Sequence, residues 1–192
     1  MNESNRPNSR ARPRRSKQDW LNAALDVLKE HGIQAVRVER LAKDLRVAKS
    51  GFYYHFEDRD HLQRSLIAHW VNEDAIPFAV QKKLRNSSPT KALIQIIDIV
   101  EKFDLGKLDF AMRQWAKSDA EVHKAYQKEM RRRVSHIRGI FESLGFEGDD
   151  LEMRTRTFVA TTTTEAQLFT DMKVSERKRL RELRVNMLIR RD

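Results

Sequence analysis

The chain has 192 residues, 40% of them hydrophobic, with no cysteine and a formal charge of +10 at pH 7. This composition can fill a core. It excludes disulfides, thiolate nucleophiles and cysteine-based zinc sites, and it favours polyanionic partners, nucleic acid before an anionic membrane surface. Six glycines and four prolines are few, so the abundance of Leu, Ala, Arg, Lys and Glu predicts an all-α protein.

Residues 1–15 carry Arg6, Arg10, Arg12, Arg14 and Arg15 against the single acid Glu3, with Pro7 and Pro13 breaking any helix. They read as a disordered basic arm, either attracting phosphates or solubilising the chain. The arm lacks the apolar stretch of a secretory signal, and no later run approaches the ~18 apolar residues of a membrane span. Ser16 and Asp19 have capping-box spacing, and Trp20, Ala24, Val27 and Leu28 recur at helical intervals up to Gly32. A second helix is predicted over residues 38–45, from the spacing of Val38, Leu41, Ala42 and Leu45. After a break at Arg46-Val47-Ala48 comes a short third helix, about Lys49 to His55, anchored by Phe52 and Phe56. Asp58 then caps a linker helix reaching about Asp74, with Pro77 beyond it.

Longer helices follow. Ser87-Ser88-Pro89-Thr90 reads as a loop with a cap, and Leu93, Ile96, Ile97 and Val100 mark the next helix. Others are predicted from about Leu108 to Lys117, from the Ser118-Asp119 cap to Leu144, from Asp149 to about Met172, and over about Ser175 to Arg190. No internal repeat is present.

Residues 37–62, RVERLAKDLRVAKSGFYYHFEDRDHL, have the pattern of a helix-turn-helix. In that motif one helix braces a second, whose N-terminal residues face base edges in the major groove. Val38, Leu41, Ala42, Leu45, Val47, Phe52 and Phe56 supply the apolar packing; Lys49, Ser50, Gly51, Tyr53 and Tyr54 are left for DNA. Gly51 inside a helix costs about 1 kcal/mol against Ala, which a close backbone approach to DNA would justify. An ordinary helical hairpin is the plainer alternative.

The stretch VAKSGFYYHFEDRDHL, residues 47–62, resembles the TetR family of bacterial transcriptional regulators. Val47, Lys49, Ser50, Gly51, Phe52, Tyr53, His55, Phe56, Asp58, Arg59 and Leu62 fit the family pattern, and Leu41-Ala42 fits its Ile-Ala pair. MRQWAKSD, residues 112–119, is similar to the Trp-Ala segment of some family members. There are two departures. Arg46 stands where the family often has Gly, so positive φ or a shifted turn is expected. Arg37 stands where Ser or Thr usually caps the second helix, which loses ~1 kcal/mol of capping and offers a phosphate contact.

The resemblance implies an N-terminal three-helix helix-turn-helix domain at 16–62, continuing into a linker helix at 59–74. A C-terminal helical ligand-binding and dimerisation domain at 75–192 follows. Tyr53, His55 and Arg59 would touch the DNA backbone, and Lys49, Ser50, Gly51 and Tyr53 would lie against bases. The implied molecule is a cytoplasmic, DNA-associated homodimer on a palindromic operator in double-stranded DNA, a repressor released by a small-molecule effector of unidentified chemistry. For Tyr53 a half-buried core position, and for His55 a helix C-terminal cation, stay open.

Two stripes serve dimerisation: Leu151, Thr155, Phe158, Thr162, Ala166 and Phe169, and Leu180, Leu183, Met187 and Leu188. Within them Phe158, Thr162, Ala166, Phe169, Leu183 and Met187 are the interface candidates, with intrachain core as the competing reading. Trp70, Phe78, Phe103, Phe110, Met112, Trp115 and Phe141 are candidate pocket linings, although aromatic and Met residues at such spacing usually form core. Asp98, inside an apolar run, either greets a cationic effector or lies on a solvated face. Thr161 to Thr164 are four poor helix formers in a row, for which a small-residue face allowing close helix approach is one explanation.

Six histidines without an i, i+4 pair give no metal site, and no cofactor motif is present. An enzyme is disfavoured: there is no G-x-S-x-G elbow and no H-E-x-x-H, and Gly106-Lys107 lacks the earlier glycine of a Walker loop. A helical protein-binding adaptor is the other competing class; it predicts no salt-dependent duplex binding. A membrane-surface role for the arginine-rich last helix is a minor reading.

Overall fold

The computed structural model describes residues 15–71, 87–169 and 171–191. Within them the chain forms α1 (Lys17–His31), a 3-10 turn (Ile33–Ala35), α2 (Val38–Asp44), α3 (Ser50–Tyr53) and α4 (Arg59–Val71). Then come α5 (Pro89–Lys102), α6 (Leu105–Trp115), α7 (Ala120–Ser143), α8 (Gly148–Leu168) and α9 (Val174–Ile189). Among the described residues there is no strand. Pro77 and Phe78, and the basic arm apart from Arg15, lie outside the described residues.

Local chemistry accounts for the helix ends. Ser16 caps α1 with a full capping box: its hydroxyl accepts the Asp19 N–H at 3.1 Å, and the Asp19 carboxylate accepts the Ser16 N–H at 2.8 Å. Asp58 Oδ1 accepts the His61 N–H at 2.6 Å at the start of α4. Asp119 takes the N–H groups of Glu121 and Val122 at the start of α7. Ser88 holds the cap position of α5 without a side-chain bond, and Pro89 fills the first helical position, where no N–H is needed.

Two cores organise the helices. The first joins Trp20, Leu28, Leu41, Phe52, Phe56, Leu62 and Leu66 to Leu108, Met112 and Trp115 of α6 and Val122 of α7. The helix-turn-helix thus shares its core with α6, beyond the expected boundary at residue 62. The second gathers Leu93, Ile97, Ile137, Phe141, Phe158, Val185 and Leu188 from α5, α7, α8 and α9. At Gly106 a side chain would collide with α8, since a Cβ there would lie 2.8 Å from the Thr163 carbonyl oxygen. Gln167 Nε2 donates to the Gly106 carbonyl at 2.7 Å and locks that close approach.

Candidate nucleic-acid interface and internal cavity

The expected α2–α3 break is a tight turn in which Arg46 has φ 57°, the left-handed region that favours glycine. The departure at Arg46 is therefore a real backbone demand met by an arginine. Arg37 occupies the cap position of α2 without a side-chain cap; its Nε donates to the Gln34 carbonyl at 3.1 Å.

The recognition helix is short, Ser50–Tyr53, with Lys49 and Tyr54 flanking it in helical geometry. Phe52 points inward, edge-on to Trp20 at 5.5 Å and stacked on Phe56 at 5.1 Å. That orientation throws Tyr53 and Tyr54 outward, 62% and 70% exposed, so the half-buried reading of Tyr53 does not hold. Lys49 and Ser50 are exposed beside them. The Lys49 ammonium lies 2.6 Å from Glu39 on α2 and holds that carboxyl below its ordinary value. A base contact by Lys49 therefore starts by exchanging a solvated ion pair, a modest cost at such exposure.

Three expected DNA residues are placed otherwise. Gly51 faces inward: a Cβ there would meet the Trp20 ring at 3.7 Å, an ordinary contact, so its missing side chain does not open a path to DNA. Arg59 is half-buried and donates to the carbonyls of Val36 at 3.2 Å and Ile33 at 3.1 Å, tying α4 to the 3-10 turn. His55 Nε2 is 2.8 Å from the Arg15 carbonyl oxygen. Arg15, unremarked in the sequence beyond its charge, also donates to the Leu45 carbonyl at 3.3 Å. The root of the basic arm is thus fixed against the helix-turn-helix by the Leu45 carbonyl after α2 and the His55 ring after α3.

The Arg59 geometry gives a first prediction. Arg59→Ala should lower stability by about 1–3 kcal/mol through two lost charge-assisted hydrogen bonds, measured by urea unfolding. Unchanged stability with a salt slope of DNA binding reduced by about 1 would restore the phosphate role.

Between α4, α5, α6, α7 and α8 lies a half-open cavity of about 730 Å³. Ala92, Ile96, Ile99 and Val100 of α5, Leu105 and Leu108 of α6, Phe158 and Val159 of α8, and Trp70 of α4 give it apolar walls. Of the expected pocket residues that lie within the described residues, only Trp70 lines it. Met112, Trp115 and Phe141 are buried in the cores, Phe110 is 43% exposed, and Phe103, half-buried at the end of α5, does not reach the wall. Large side chains fill the space between helices, and the cavity remains where smaller aliphatic ones face each other.

One wall is ionic. Glu129, 2% exposed, is bridged by Arg132 at 2.8 Å and Arg133 at 2.7 Å, and Arg133 also reaches Asp109 at 2.8 Å. Burial pulls the Glu129 carboxyl upward, but the two guanidiniums together hold it below its ordinary value. Burial and the nearby Asp109 push the Tyr126 phenol up to about 12. Arg133 lies over the Trp70 ring at 5.3 Å, and Trp70 stacks on Tyr126 at 5.8 Å. Asp98 is not in the cavity wall: it is half exposed and paired with Arg181 at 2.5 Å, which removes the buried-carboxylate reading.

The dimer candidates divide. Phe158 packs on Phe141 at 6.1 Å and Thr162 is 8% exposed, both turned into their own chain with Leu151 and Thr155. The stripe is a true helical face, but its first part is taken up by intrachain core and cavity. Phe169, Leu183 and Met187 are 57%, 53% and 67% exposed, as is Met153 at 62%, which the stripes missed. The side chain of Ala166 lies outside the described residues. Among the described residues no cluster of three His, Asp or Glu could hold a metal ion, and no helix is long and apolar enough to cross a membrane.

Residues 21–66 match the model of the bacterial regulatory proteins of the tetR family. No curated protein matches the chain in sequence. A TetR transcriptional regulator from Legionella pneumophila superposes with a TM-score of 0.72 at 16% identity, covering 99% of this chain and 100% of that one. The regulator FadR from Bacillus subtilis, solved in complex with stearoyl-CoA, gives 0.65 at 16% identity, covering 91% and 98%. PfmR, a TetR-family regulator from Thermus thermophilus, gives 0.64 at 18% identity, covering 88% and 96%.

Proposed function

We propose, from the match of residues 21–66 to the model of the tetR family of bacterial regulatory proteins, that the chain is a homodimeric repressor whose hold on a palindromic operator is released by a small molecule in the cavity between α4 and α8. The observation that carries this reading is the shared packing of α6. Its residues Leu105 and Leu108 line the cavity, while Leu108, Met112 and Trp115 belong to the core of the helix-turn-helix. Lys107 of α6 also pairs with Glu30 of α1 at 3.1 Å. A ligand that fits one placement of α6 and α4 better than another therefore biases the position of α1 and the recognition helix. It weakens DNA binding by its differential affinity for the two states.

Dimerisation is supported by the exposed apolar side chains of α8 and α9 and of Phe169 between them. Met153, Leu168, Phe169, Leu183 and Met187 are large and more than half exposed, and a second copy is the natural cover for them. On DNA, Tyr53, Tyr54, Lys49 and Ser50 form the protruding face, Arg37 flanks it, and His55 holds the arm's root beside it. The bound FadR relative supports a ligand with a long apolar portion. Residues 75–192 would then be the effector-binding and dimerisation part, acting in the cytoplasm.

Selection from random duplexes with the purified protein tests the reading. A palindromic consensus with half-sites one DNA turn apart, ~34–36 Å, is the expected result. A non-palindromic consensus would refute the paired arrangement. Absence of any salt-dependent duplex binding would favour the adaptor reading instead.

A further inference from the structure

The chain has a formal charge of +10, yet Lys49 is the only charged residue from Ala48 to Tyr54. Its ammonium donates to Glu39 Oε1 at 2.6 Å, on the first turn of α2. The hydrogen bond from Lys49 is the main cause that holds the Glu39 carboxyl below its ordinary value, so the acid is ionised and the two charges cancel. Neighbouring cations on α2 are engaged as well: Arg37 donates to the Gln34 carbonyl, and Arg40 lies 3.7 Å from Asp44. A protein that is basic overall thus presents a recognition segment without net charge. Both side chains of the Lys49–Glu39 pair are more than half exposed. Such a pair adds little to stability, and it stands at the end of α3 that a helix-turn-helix turns toward base edges.

The two contacts open to Lys49 on a duplex make different demands on Glu39. A phosphate oxygen is anionic, so moving the ammonium onto it leaves the Glu39 carboxylate unpaired beside a like charge. Guanine O6 and N7 are neutral acceptors. An ammonium has three N–H donors, so one stays on Glu39 while the others meet the guanine edge, and the exchange with the solvated carboxylate is only partial. The retained bond also orders a long side chain in advance, which lowers the entropy lost on binding.

We propose that Glu39 is a specificity-determining residue: by holding Lys49 it disfavours the phosphate contact and positions the ammonium for a guanine edge in the major groove. This inference rests on the reading of residues 49–54 as the DNA-facing segment. Glu39 acts through Lys49 and is a positioning residue, not a base contact. A first-turn acid also complements the dipole of α2, whose cap residue Arg37 makes no side-chain cap bond. That role moves stability and leaves discrimination between duplexes unchanged.

The test uses the full-length protein, the consensus duplex it selects from a random pool, and a scrambled duplex of the same composition, with binding followed by fluorescence anisotropy across a salt series. Glu39→Gln should bind the scrambled duplex about 3–10-fold more tightly, with a salt slope steeper by about 1, because one more cation is free to neutralise a phosphate. The ratio of consensus to scrambled affinity should fall by about 5–10-fold. In the Lys49→Ala background, Glu39→Gln should leave that ratio unchanged, since the two residues act as a pair. Replacing the consensus guanines one position at a time by 7-deazaguanine, which lacks the N7 acceptor, should weaken the parent at one position and leave Lys49→Ala indifferent there. An unchanged ratio for Glu39→Gln, with or without a lower urea midpoint, reduces Glu39 to its helix role and overturns the inference. A fall in ratio that persists without Lys49 overturns action through Lys49. A consensus insensitive to every 7-deazaguanine overturns the guanine edge as its target. If no consensus emerges at all, the DNA-binding reading itself falls, and the inference falls with it.

Discussion

Replacing Phe52 by Ala should cost about 3–5 kcal/mol, the usual range for deleting a fully buried aromatic. Phe52 is 0% exposed and is the contact through which the four-residue α3 is held. A helix that short has no stability of its own, since nucleation is unfavourable and few bonds follow. Its position comes from the edge-on contact with Trp20 and the stack on Phe56. The indole N–H of Trp20 has no partner, so Trp20 is held by packing alone and is sensitive to a cavity beside it. Because this core continues into α6, the loss should appear in one cooperative urea transition monitored by far-UV circular dichroism. Tyr53→Ala, next in sequence but exposed, should change stability by no more than about 0.5 kcal/mol while weakening DNA binding. Comparable stability losses for the two variants would contradict the inward and outward assignment of this helix.

That contrast also shows what the sequence could reveal. The helix ends were legible because they depend on near neighbours: the Ser16 and Asp19 box, the Asp58 and Asp119 caps, and the turn at Arg46. Helical spacing correctly separated Phe52 from Tyr53. It could not say which wall of the molecule a face would meet. Phe158 and Thr162 lie on a correctly read stripe, yet that stripe faces α7 and the cavity rather than a second chain.

Arg59 and His55 have intrachain partners that their sequence position does not announce. A polar side chain beside a recognition helix looks like a phosphate contact, while the carbonyls of Ile33, Val36 and Arg15 that bond these side chains come from distant positions. The cavity was the least legible feature. Its lining was sought among aromatic residues, which close packing draws into cores. What defines it is an aliphatic wall on α5 and an ionic wall on α7, neither of which has a local signature.

The ionic wall yields the other large effect. Glu129→Ala should destabilise the protein by about 3 kcal/mol, the lower end for breaking a buried ion pair, because Arg132 and Arg133 are partly exposed and some of their charge is screened. The charge on Glu129 is what matters, and pH tests it. The folded protein holds this carboxyl below its ordinary value of 4.5, so its contribution is fully present above that value. It is lost as pH falls through the lower, folded value. Urea unfolding of the parent and of Glu129→Gln should therefore differ most near neutrality and converge as pH falls through the folded value. A difference that stays constant down to acid would mean that shape, not charge, is what Glu129 contributes. The same variants bear on signalling. Arg133, freed from Glu129, would keep Asp109 and the face of Trp70, and Trp70 stands on α4 between the cavity and the DNA-binding helices. With one carboxylate partner gone, Arg133 should be held less firmly on Trp70, which should alter the ligand response more than the DNA affinity, because Glu129 lies outside the core that α1, α2 and α3 share with α6.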